Sequence, residues 1–138
     1  MKSIPRLFTL DEANALLPQI EALLQMFLEK KEAYERLHDV FFMHELLAKA
    51  APSGGGVHES SGGLDEEARQ LDHSVSELEH EIDKIRSFGC IVRNLVRGWI
   101  DFLGRSQNGE QIYFCWKRGE KSIVFYHPVN DTTQRLPF

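Results

Sequence analysis

The chain has 138 residues, 42% hydrophobic and 27% charged, with a formal net charge of −5. That length fits one domain with a real core and leaves little room for a second compact one. The negative field repels phosphate backbones and anionic lipid, so neither nucleic acid nor a membrane is an expected partner. No apolar run approaches the roughly 18 residues of a membrane span. Asp11, Glu12 and Pro18 stand where a secretory signal would need an unbroken apolar stretch, so a reducing cytoplasmic setting is expected for the two cysteines.

In chain order, Thr9-Leu10-Asp11-Glu12 reads as a capping box, with Phe8 placed to staple the entry. Apolar residues then recur at Leu16, Ile20, Leu23, Phe27, Tyr34, Leu37 and Phe41, which predicts a helix over 8–50 with a local kink at Pro18. Residues 51–63 (APSGGGVHESSGG) read as a flexible surface loop. Over 64–88, Leu64, Ala68, Leu71, Val75, Leu78, Ile82 and Ile85 form a four-three seam, predicting a second helix antiparallel to the first in a coiled-coil hairpin. The second helix is the shorter, so Leu10 to Leu24 is left as an apolar overhang that needs another cover.

Residues 89–138 supply it. Gly89 is placed to cap the second helix, and Cys90 to Val92, Trp99 to Arg105, Ile112 to Trp116 and Ile123 to Tyr126 read as short strands. The predicted fold is therefore α+β in a single domain: a long antiparallel helical hairpin followed by a small antiparallel β-meander. Taking Asn108-Gly109 as a two-residue turn pairs Arg105 with Ile112, Leu103 with Phe114 and Asp101 with Trp116. An even-length loop at Gly119-Glu120 then adds Ile123, Phe125 and His127 to that face. The other face carries Ile100, Phe102, Tyr113, Cys115, Lys117, Val124 and Tyr126. Both faces are largely apolar and one overhang cannot cover both, so a homodimer is expected.

The run Phe8-Thr9-Leu10-Asp11-Glu12-Ala13-Asn14-Ala15-Leu16-Leu17-Pro18, followed in order by Arg97-Gly98-Trp99-Ile100-Asp101-Phe102, Cys115-Trp116-Lys117-Arg118-Gly119-Glu120, Tyr126-His127 and Arg135-Leu136-Pro137-Phe138, resembles the bacterial and archaeal domain of unknown function 2203 family. The resemblance implies a small cytoplasmic protein with a helical hairpin and a C-terminal β-meander, and no particular activity. The chain departs from the family pattern at Leu103-Gly104, where Pro and a small residue are usual. It departs again over Pro128 to Gln134, where the family tends to carry an acidic residue and a Gly-aromatic pair.

No catalytic or cofactor motif is present in the sequence, and neither a metal nor a cofactor is expected. The candidate ligand-binding residues are His127, Arg105, Arg135, Asp101 and Glu120. His127 and Arg105, flanking Ile112 in the predicted register and joined by Arg135, suit a phosphate or carboxylate. Asp101 shares their face but lies at the far end, too distant to ligate one ion with His127. Cys115 falls on the opposite face among Phe102, Tyr113 and Val124, so it is expected to be a buried free thiol without a histidine partner. Two functional readings follow. The first is a homodimeric protein-interaction or scaffold module acting through the hairpin. The second is a protein binding a small anion or divalent metal, or an enzyme, with its site on the meander.

Overall fold

A computed structural model of the protein describes residues 6–50 and 57–138, with side chains for all of these except 57–62. Two helices, α1 (Leu10–Ala50) and α2 (Val57–Arg86), precede a five-stranded antiparallel sheet of β1 (Ile91–Asn94), β2 (Trp99–Arg105), β3 (Gln111–Lys117), β4 (Phe125–Pro128) and β5 (Leu136–Pro137), in the spatial order β1-β2-β3-β4-β5. The expected capping box is present: Thr9 N donates to Glu12 Oε1 at 2.9 Å, and Glu12 N donates to Thr9 Oγ1 at 3.1 Å. α1 continues through Pro18.

Of the segment expected as a loop, residues 51–56 lie outside the described residues, and residues 57–63 are helical, so α2 begins a full two turns before Leu64. It ends at Arg86. Gly89 has φ +91°, the left-handed conformation expected of the residue that turns the chain into the sheet.

The chain divides into two compact units, residues 1–26 with 81–138, and residues 27–80. In the first unit, the overhang of α1 is covered as expected. Ala13, Leu17, Ile20 and Leu24 are buried against Ile100, Phe102, Ile112, Phe114, Trp116 and Ile123, with Phe8 and Ile85 closing the core and Leu10, Leu16 and Leu23 at its edge. Polar contacts fix the docking. Asn14 Oδ1 accepts from Ile123 N at 2.8 Å, and Arg118 reaches Glu21 at 3.2 Å and Gln25. In the second unit, His44 is bonded to Glu67 at 2.8 Å, and Ala33 and Leu37 share a shallow groove with His73, Ser74 and Glu77, so the two helices run antiparallel.

The sheet register differs from the expected one at both connections of β3, and this changes the site. β2 and β3 pair as Arg105 with Gln111, Leu103 with Tyr113, Phe102 with Phe114, Asp101 with Cys115 and Ile100 with Trp116. The turn is a three-residue loop closed by Ser106 N to Glu110 O at 2.7 Å and Gly109 N to Ser106 O at 2.9 Å, with Gly109 at φ +85°. This is the other hairpin that Asn-Gly serves, a turn followed by a left-handed glycine. The extra residue flips β3 relative to β2. β4 then pairs Tyr113 with His127 and Cys115 with Phe125, correcting the even-loop expectation as well.

The inner face is consequently Ile100, Phe102, Gly104, Ile112, Phe114 and Trp116. The outer face is Trp99, Asp101, Leu103, Tyr113, Cys115, Lys117, Phe125 and His127. Trp116 is in the core, donating from Nε1 to Glu120 O at 2.8 Å, whereas Trp99 is on the outer face. Gly104 is required where Phe8 bridges to it, because a Cβ would stand 2.9 Å from Phe8 O and collide with the Phe114 ring.

Candidate functional site

The outer face of the sheet buries three chemically active side chains, Asp101, Cys115 and His127, each with no exposed surface. They come from three adjacent strands: Asp101 faces Cys115 directly across β2 and β3, and His127 lies one position along on β4, opposite Tyr113. A carboxylate oxygen, the thiol sulfur and an imidazole nitrogen all lie within 4.8 Å of one another.

Asp101 is the hub. Its Oδ2 accepts from Arg93 Nε at 2.7 Å and faces His127 Nε2 at 2.8 Å, and its Oδ1 accepts from Trp99 Nε1 at 3.1 Å. Three donors on one buried carboxylate compensate the cost of desolvating it. The other ring nitrogen of His127, Nδ1, lies 3.4 Å from the backbone oxygen of Pro128. Tyr113 and Trp99 wall the imidazole, with centroid separations of 5.2 and 6.5 Å.

Cys115 is reached by Arg135, whose Nε donates to Sγ at 3.1 Å and whose Nη2 bonds Glu120 Oε1 at 2.6 Å. Burial pushes the Cys115 thiol up and the adjacent Asp101 charge adds to that, opposed by Arg135 and the Trp99 contact. Burial pulls the Arg135 guanidinium down, but the hydrogen bonds it donates to Glu120 and Cys115 outweigh this and hold it above its usual range. Glu120 also accepts from Lys117 N at 2.8 Å, so it serves the turn and the ion pair together. Arg93 stacks over Tyr113, Arg135 over Phe125, and Lys117 over Trp99, forming a cationic and aromatic lid of side chains.

Four of the five residues singled out from the sequence, Asp101, His127, Glu120 and Arg135, belong to this network. Arg105 does not. It lies at the exposed end of β2, bonds Gly109 O at 3.2 Å, and lines an open groove of about 1190 Å³ with Phe8, Phe114 and Phe138, away from His127. The expected Arg105–His127 anion pair is therefore absent. The supposed distance between Asp101 and His127 is overturned by their 2.8 Å contact, and the placing of Cys115 on the opposite face from His127 by the β3 flip.

Cys115 and Arg93 are the members that sequence reasoning missed. One signal was available: only an odd loop sorts Ile100, Phe102, Ile112, Phe114 and Trp116 onto one wholly apolar face and Asp101, Cys115 and Lys117 onto the other.

As a catalytic triad the arrangement is poor. Nε2 is taken by Asp101 and Nδ1 faces a carbonyl, leaving no ring nitrogen to draw the proton from Cys115. As a ligand set it is apt, since carboxylate, imidazole and thiolate donors together suit a zinc-class ion.

No curated protein and no solved structure matches the chain. Residues 6–135, from the strand-like entry to α1 through the Arg135 of this network, match the family described as "Uncharacterized conserved protein (DUF2203)", and the chain belongs to that family.

Proposed function

We propose that the protein is a homodimeric protein-interaction module of the cytoplasm, assembling through the unit of residues 27–80. The observation that carries this reading is an apolar arc on α1. Val40, Phe42, Met43, Leu46 and Leu47 are 47% to 62% exposed on successive turns. Such a patch on a surface helix marks an interaction site.

A second copy of the same helix is the occupant that best fits. An antiparallel two-fold pairing centred on residue 44 sets Phe42 against Leu46 of the second copy, twice, and Asp39 against Lys49. Full burial of such side chains contributes roughly 1.5 to 3 kcal/mol each, so burying the remaining halves of ten gives on the order of 10 kcal/mol. Association costs roughly 4 to 15 kcal/mol, so even at the low end of that cost the net is about 6 kcal/mol, and the dimer is expected to be weak, forming from several tens of micromolar upward. The two cysteines are unpaired and buried, in keeping with a reducing compartment.

Sedimentation equilibrium at rising concentration tests this directly. The expected result is a monomer–dimer equilibrium for the natural chain and a monomer for Met43→Glu and Leu47→Glu, both of which change side chains more than half exposed. A natural chain that stays monomeric throughout refutes the proposal.

A further inference from the structure

We infer that Asp101, Cys115 and His127 form a binding site for one divalent transition-metal ion of the zinc class, an assignment independent of how the helices associate. The donors are fixed by neighbouring strands rather than loops, which places them within a small range of the geometry a metal needs. Tetrahedral zinc with two N or O ligands and one sulfur sets its donors roughly 3.3 to 3.7 Å apart. Here the three atoms lie within 4.8 Å, with His127 Nε2 and Asp101 Oδ2 at 2.8 Å. Side-chain shifts of the order of 1 Å bring all three to one ion, leaving a fourth position open.

The surroundings have the form of an outer shell. A metal-ligating histidine holds its other N–H against a carbonyl or carboxylate, and Nδ1 of His127 faces Pro128 O, leaving Nε2 to point at Asp101. Arg93 donates to the carboxylate and Arg135 to the sulfur, the contacts that steady an ionised ligand pair.

The charges also suit an ion. The Asp101 carboxylate and a Cys115 thiolate together offset the two positive charges of the metal, Arg93 is already paired with Asp101, and Arg135 is paired with Glu120, so the two guanidinium groups do not exclude the ion.

The probe is Co²⁺ added to the full-length chain, reduced and free of metal. One equivalent is expected to bind with the intense near-ultraviolet absorption of a thiolate-to-cobalt bond. Cys90→Ala should keep the band, and Cys115→Ala and His127→Gln should lose it, with Zn²⁺ displacing Co²⁺ in the natural chain. A measurement on the natural chain needs no variant to fold: ligation by the thiolate should release the Cys115 proton, so Zn²⁺ affinity falls by about 10-fold for each unit drop in pH near neutrality. A natural chain that gives no thiolate band, or a band that survives in folded Cys115→Ala, overturns the site.

Discussion

Replacing Asp101 by Asn keeps the shape of the hub and removes its charge, leaving His127 buried against an amide and Arg93 without its carboxylate. Breaking a buried ion pair at one partner costs roughly 3 to 5 kcal/mol. The Arg93 side chain is 29% exposed and can turn to water, and Asn retains an acceptor for Trp99 Nε1, so the expected loss is reduced to about 2 to 4 kcal/mol. Both tryptophans, Trp99 and Trp116, lie in the unit of residues 1–26 and 81–138, so their fluorescence reports unfolding of that unit alone. With a urea slope of about 2 kcal/mol per molar, the midpoint should fall by about 1 to 2 M at neutral pH. A fall worth less than about 0.5 kcal/mol would refute the reasoning. The carboxylate would then be a passenger on the sheet, not the group that ties β1, β2 and β4 together.

Gly104→Ala should destabilise the same unit by about 2 kcal/mol or more, since the new methyl group meets the Phe114 ring and Phe8 O, neither of which can give way within a packed core; the same fluorescence transition checks it. Both thiols should be unreactive toward a disulfide reagent in the native state and react together once the chain unfolds, because both are buried. Burial pushes the Cys90 thiol up to about 11 from an ordinary value of 9.0. A raised acid binds its proton more tightly in the folded state. The associated stability is intact below pH 9 and is lost as pH rises to 11, by up to about 3 kcal/mol, and Cys90→Ala should flatten that alkaline decline.

What the sequence determined by itself was local and periodic. The Thr9–Glu12 cap needs only four consecutive residues, the heptad seam of α2 needs only its own spacing, and the apolar overhang Leu10 to Leu24 shows that something must cover it. Each follows from rules that act within a few turns of one element. The order of the first four strands was legible for the same reason, because short turns leave a meander little choice, whereas β5 at Leu136–Pro137 was not expected. The pairing of β3 was decided in the tertiary structure. Asn108-Gly109 serves a two-residue and a three-residue hairpin alike, and the side-chain period of two converts that one residue into the difference between a Cys115 facing the helix and a Cys115 on the outer face, where the odd connection to β4 also places His127. Burial against α1 selects between them: only the longer loop puts Phe114 and Trp116 in the core, and in doing so it turns Asp101, Cys115 and His127 toward one another.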